Sequence, residues 1–287
     1  MSKLLENQIY IGSEGKESHF DLEIPGNFSG HCVVFTHGFM GFKNWGAWHL
    51  VQNYFVQNGF AFCKFNLSHN GTSIEKNDHF VDLEAFGKNT YSKEIQDLKC
   101  LLKHLSSTFT EIQNFHLIGH SRGGATTILT YSDLIETNNP LISKIKSLVL
   151  WASICDIASR FPSDQELEEW KNSGVRFVLN SRTNQQLPQF YSLFEDFQNN
   201  REKLNIEKCS KSISIPVFIA HGDKDSSVKM EEGLHLSSWF KQQLNVIKNA
   251  DHVFGAKHPW VDSKPPKHLK ELLGLTFNFL QRFKKDA

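Results

Sequence analysis

The sequence predicts an α/β protein, a mostly parallel sheet covered by helices on both faces. One pattern predicts it. From residue 31 onward, short apolar runs alternate with segments of helical periodicity. Strands that alternate with helices pair in parallel and are buried on both sides. In such sheets ligands bind outside the carboxyl ends of the strands, so the residues following each run are where chemistry is sought.

Residues 7–12 (NQIYIG) and 19–24 (HFDLEI) read as two strands around a turn, with Gly12 and Gly15 between them and Pro25-Gly26 closing the pair. The runs 31–38 (HCVVFTHG), 60–66 (FAFCKFN), 114–120 (NFHLIGH), 145–152 (IKSLVLWA), 215–222 (IPVFIAHG) and 243–250 (QLNVIKNA) read as buried strands. Between them, 48–58 is a helix ending at Gly59, a suitable C-cap. Residues 92–105 place Ile95, Leu98, Leu101, Leu102 and Leu105 on one helical face. Helices over 122–134, 231–240 and 268–283 complete the alternation.

One interval breaks the rhythm. Residues 153–212 are polar and aromatic, with Phe161, Trp170, Phe177, Phe190, Tyr191, Phe194 and Phe197. A structureless loop of that length is anomalous in a compact domain. The segment is therefore expected to form a mostly helical cap, inserted into a core made of 1–152 and 213–287.

Composition excludes several classes. A formal net charge of zero gives no overall field for nucleic acid or an anionic membrane. The cluster Arg282-Phe283-Lys284-Lys285 reads as a solvated helix end. No run approaches the ~18 apolar residues of a membrane span, and the first residues lack the apolar stretch of a secretory signal. The five cysteines, Cys32, Cys63, Cys100, Cys155 and Cys209, are odd in number and scattered, with no C-x-x-C. They read as buried free thiols in a reducing, cytoplasmic setting rather than as disulfides or metal ligands.

The chemistry is sought first in 115-FHLIGHSRGGATTI-128. A serine hydroxyl is a poor nucleophile at neutral pH and needs a base. A tight strand-to-helix turn lifts the Ser121 Oγ above the sheet edge and aims the first helical N–H groups at the same place. Such a turn strains the serine backbone and leaves no room for neighbouring side chains, which explains Gly119 and Gly123. The base is expected near the end of another strand. His252, in 249-NADHVFG-255, follows the last strand and reaches the same edge. His116 and His120 have i, i+4 spacing, but on a strand they share no helix face, so a metal pair is not expected.

A third residue must hold the imidazole and stabilise its charged form. In 221-HGDKDSSV-228 two carboxylates compete. Asp223 sits within the turn, where aspartates cap their own backbone. Asp225 lies further along and is the favoured partner of His252. Asp156, beyond strand 145–152, is the outside candidate, and Asp251 cannot easily fold back onto the adjacent ring. The developing oxyanion needs waiting donors, worth roughly 3–4 kcal/mol each. The backbone N–H groups of Arg122 and of Phe39, in 37-HGFMGFKNW-45, are the candidates.

H-G-F at 37–39, G-H-S-R-G-G at 119–124, H-G-D-K-D-S-S-V at 221–228 and D-H at 251–252 follow the chain order Ser, Asp, His. In this the chain resembles the α/β-hydrolase superfamily from about residue 20 to its end. Within it, the resemblance is to the dienelactone-hydrolase-like, feruloyl-esterase-like and serine-aminopeptidase-like branches. It departs from them with Arg122 as the variable elbow residue, in place of Gln or Met, and with N-L-S-H-N-G-T-S after residue 65. The resemblance implies an eight-stranded sheet, a cap after the sixth strand, and no cofactor. It implies Ser121 as nucleophile, Asp225 as acid, His252 as base, and Phe39 and Arg122 as amide donors. The expected substrate is a small-molecule carboxylic ester of small to medium acyl length, with no nucleic-acid or membrane partner. An aminopeptidase or acyl-peptide hydrolase acting on amides is the alternative. A non-catalytic ligand-binding protein on the same fold is the remote one, since such proteins usually have a broken triad.

Overall fold

The computed structural model describes residues 1–76 and 79–284. The chain begins with β1 (Lys3–Ile11), β2 (Glu17–Ile24), β3 (His31–Thr36), α1 (Trp48–Gln57) and β4 (Ala61–Phe65). It continues with α2 (Leu83–Lys88), α3 (Tyr91–Thr108), β5 (Asn114–His120), α4 (Arg122–Glu136) and β6 (Ile145–Trp151). Next come α5 (Asp164–Ser173), β7 (Val175–Asn180), β8 (Gln185–Phe190), α6 (Ser192–Asn199) and α7 (Ile206–Ser212). The last elements are β9 (Val217–Gly222), α8 (Met230–Phe240), β10 (Leu244–Ile247) and α9 (Lys267–Leu280).

Eight strands form one sheet in the order β1-β2-β4-β3-β5-β6-β9-β10. β2 is antiparallel to β1 and to β4, and the remaining pairs are parallel. The apolar character of the central strands follows from their two covered faces. On β5 and β6, Leu117 and Leu148 join the core that holds Leu98 and Leu101 of α3 and Ile128 of α4. The next residues along, Ile118 and Val149, enter the opposite layer with Val51 and Phe55 of α1 and Leu269 and Leu272 of α9. The predicted stripe of α3 is buried in full. Thr90 starts that helix by accepting from the Lys93 N–H.

Residues 153–212 contain helices, as expected, but also a two-stranded antiparallel hairpin, β7–β8. The short helix α2 was not anticipated either. Its N-terminus is capped by Asp82, which accepts from the Ala85 N–H. The expected strand over 243–250 is confined to β10. At the C-terminus Lys285 lies outside the described residues. Lys284 is more than a solvated helix end, because its ammonium lies 4.3 Å from the Phe60 ring centroid and donates to the Asn58 carbonyl at the end of α1.

Candidate active site

Ser121 stands between β5 and α4 with φ 58° and ψ −124°. This backbone region costs a non-glycine residue about 1–3 kcal/mol and persists only where the surroundings enforce it. The Ser121 N–H donates to the Trp151 carbonyl at 2.9 Å, and its carbonyl accepts from Gly124 at 3.0 Å and Ile154 at 3.3 Å. Neighbouring glycines allow the approach. A Cβ on Gly119 would lie 2.3 Å from the Gly123 oxygen, and one on Gly123 would lie 2.3 Å from the Thr36 oxygen. Any larger residue would push α4 off the sheet.

His252 lies in the turn after β10, where Asp251 accepts from the N–H groups of Val253 and Gly255. The His252 Nδ1–H donates to Asp225 Oδ2 at 2.7 Å. Asp225 comes from the turn after β9, and its other oxygen accepts from the Ser227 and Val228 N–H groups at 2.8 and 2.9 Å. The His221 Nε2 lies 2.8 Å from the Val228 carbonyl and 3.4 Å from Asp225 Oδ2. Burial alone would raise the Asp225 pKa. Hydrogen bonds from His221 and His252 outweigh it and hold the carboxyl far below the usual carboxylate range. The competing carboxylates serve turns instead. Asp223 accepts from the Asn249 N–H, and Asp156 accepts from Ala158 and Ser159.

Ser121 and His252 line the same cavity, of about 400 Å³, at the carboxyl ends of the strands. Phe39 lines it too. The turn that carries Phe39 is pressed onto the serine, since a Cβ on Gly38 would lie 2.8 Å from the Ser121 Cβ. His37 fixes that turn by donating from Nδ1 to the Gly38 carbonyl and accepting at Nε2 from the Leu67 N–H. Arg122 is the first residue of α4, so its backbone N–H has no acceptor within the helix. Its side chain packs on the rings of Phe39 and Tyr91, which line the cavity with it. The guanidinium lies 2.9 Å from Glu94 Oε1 and stacks 3.8 Å from the Tyr91 ring centroid.

Sequence reasoning missed two histidines and one arginine here. The His120 Nε2–H donates to the His252 backbone carbonyl at 2.8 Å, tying the loop of His252 to the elbow. Burial, reinforced by the neighbouring His252 ring, pushes the His120 pKa down to about 3, so it is a neutral donor. His116, its apparent metal partner, bonds instead to His31 and Ser147. His221 supports Asp225 from behind, although its place in H-G-D gave no hint of it. Arg176 lines the cavity from the unforeseen hairpin.

The sheet order, the strand–serine–helix elbow and the cavity above it define the class: the chain has the α/β-hydrolase fold. Among solved structures it is similar to Est1E from Butyrivibrio proteoclasticus with ferulic acid bound. The identity is 19%, 96% of this chain and 98% of that one are covered, and the TM-score is 0.73. It is also similar to alpha/beta hydrolase domain-containing protein 10 from mouse, at 17% identity, 97% and 100% coverage, and a TM-score of 0.68. A third is a monoacylglycerol lipase from Paleococcus ferrophilus, at 16% identity, 92% and 98% coverage, and a TM-score of 0.63. No protein-family model matches the chain, and no curated protein sequence matches it.

Proposed function

We propose that this protein is a serine hydrolase that cleaves small to medium carboxylic esters through an acyl-enzyme. The observation that carries the reading is the 2.7 Å contact between His252 Nδ1 and Asp225 Oδ2, on a ring that shares one cavity with Ser121. With Nδ1 donating to an ionised Asp225, the proton-free ring nitrogen is Nε2. It takes the Ser121 proton as Oγ attacks the acyl carbonyl. The carbonyl oxygen becomes an oxyanion beside the Arg122 and Phe39 N–H groups. The His252 imidazolium, stabilised by Asp225, then protonates the departing alcohol. Water repeats the sequence to release the acid. The esterase from Pyrococcus furiosus and the monoacylglycerol lipase among the structural neighbours support an ester over an amide. In this reading 1–152 and 213–287 form the core, and 153–212 is the cap that narrows the cavity.

The test is covalent labelling by a fluorophosphonate followed by peptide mapping. Label is expected on Ser121 and absent from Ser121→Ala, with ester turnover lost alongside. Equal labelling of the alanine variant would remove Ser121 from the role.

A further inference from the structure

The cavity is cationic in an uneven way. Arg122, Arg160 and Arg176 line it, whereas no Asp or Glu does among the described residues. Two of the three charges are answered from behind, Arg122 by Glu94 and Arg160 by Glu232. Arg176 has no carboxylate within salt-bridge distance among the described residues, and Glu166 attracts it only from further away, without offsetting the cost of its burial. Its Nε donates to Gln189 Oε1 at 2.9 Å, its Nη2 reaches the Arg160 carbonyl at 3.5 Å, and its guanidinium carbon stands 4.2 Å from the Trp170 ring centroid. The buried Trp170 indole donates in turn to the Gln189 carbonyl at 2.8 Å. One glutamine therefore orients both the cation and the ring beneath it.

The hairpin register sets this placement. Along β7, Arg176 and Val178 face the cavity, while Phe177 and Leu179 are 60% and 52% exposed on the other side. Half-burial disfavours the Arg176 charge, and a bound anion would relieve that cost. A planar guanidinium with free N–H groups matches a carboxylate in shape and in charge. A phosphate monoester, with nearly two negative charges, would leave one of them unanswered.

We infer that Arg176 recognises a carboxylate carried by the substrate, so that the preferred substrates are esters with an anionic end. This deepens the reading of the cavity as an ester-hydrolysing site and rests on it. The carboxylate belongs either to the acyl part, as in a monoester of a dicarboxylic acid, or to the alcohol part, as in an ester of a hydroxy acid.

Binding is measured by calorimetry in the Ser121→Ala protein, where turnover does not interfere. The probes are methylumbelliferyl hydrogen adipate and carboxyphenyl hexanoate, each beside its neutral methyl ester, and the phosphonate analogue of the adipate. At least one carboxylate probe is expected to bind tenfold or more tighter than its neutral counterpart, and which one identifies the charged part. Arg176→Gln in the same background should remove that advantage and leave the neutral probes within about twofold, since a charge-assisted hydrogen bond is worth tenfold or more. Arg176→Lys should keep part of it, and this variant carries the test if the glutamine variant fails to fold. Equal binding of charged and neutral probes, no binding of either carboxylate, an advantage that survives Arg176→Gln, or preference for the phosphonate would overturn the inference. Carboxylate preference in a protein whose Ser121 neither labels with fluorophosphonate nor turns over esters would leave Arg176 in its role and overturn the hydrolase reading alone.

Discussion

Replacing Asp225 by asparagine removes one charge and keeps nearly all of the shape. The side chain is fully buried, and its Oδ2 lies 2.7 Å from His252 Nδ1. That contact corresponds to charge centres about 4 Å apart once the imidazolium forms. At an effective dielectric of about 20 the attraction is about 4 kcal/mol. Losing it only in the transition state slows turnover about a thousandfold. The amide adds a second fault, because its NH₂ facing Nδ1 favours the wrong tautomer, which takes the loss toward ten-thousandfold. The assay is steady-state hydrolysis of an aryl ester by folded protein, with kcat and KM separated. The loss is expected in kcat with KM little changed. Asp223→Asn, which disturbs only the contact to the Asn249 N–H, should cost less than about threefold. A loss under tenfold for Asp225→Asn, or equal losses for both variants, would refute the assignment of Asp225.

Gly119→Ala should destabilise the fold by about 3 kcal/mol or more in urea unfolding, because the new Cβ would lie 2.3 Å from backbone; near-normal stability would mean that the elbow is looser than described. His120 titrates near 3 when folded and near 6.5 when unfolded. As pH falls from about 6.5 toward 3 the unfolded chain takes up a proton that the folded one refuses, so stability falls by up to about 1.4 kcal/mol per pH unit. His120→Gln, which keeps an N–H donor, should flatten that part of the stability–pH curve, and an unchanged curve would count against a neutral buried imidazole. Arg122→Met leaves the buried Glu94 carboxylate unpaired and should cost about 3–5 kcal/mol. Adding Glu94→Gln should recover much of it in a double-mutant cycle, and strict additivity would argue against coupling of the pair.

The parts legible in the sequence are those whose signal is local. Leu98, Leu101, Leu102 and Leu105 repeat at helical spacing, so α3 and its buried face could be read directly. Ser121 carries its own context, an apolar strand before it and small residues around it. The hairpin hid for the opposite reason. Its strands read VRFVLN and QQLPQF, mostly polar on one side, and Pro188 argues against a strand except at an edge. In a sheet of two strands every position is at an edge, so the proline is tolerated. α2 is shorter than the window that periodicity needs. The contact from His120 to the His252 carbonyl spans 132 residues, and no spacing rule announces a backbone acceptor. Arg176 was hidden with its hairpin, since inward and outward residues cannot be told apart on a strand that has not been recognised.

The two-stranded ribbon that carries Arg176 and Val178 is built on hydrogen bonds of its own, apart from the eight-stranded sheet that carries the elbow. In the proposed reading, recognition of the substrate's charged end and the chemistry at Ser121 are thereby written in separate parts of the chain. If that reading holds, a library restricted to residues 175–190 would sample new selectivities while leaving Ser121, His252 and their supporting contacts untouched.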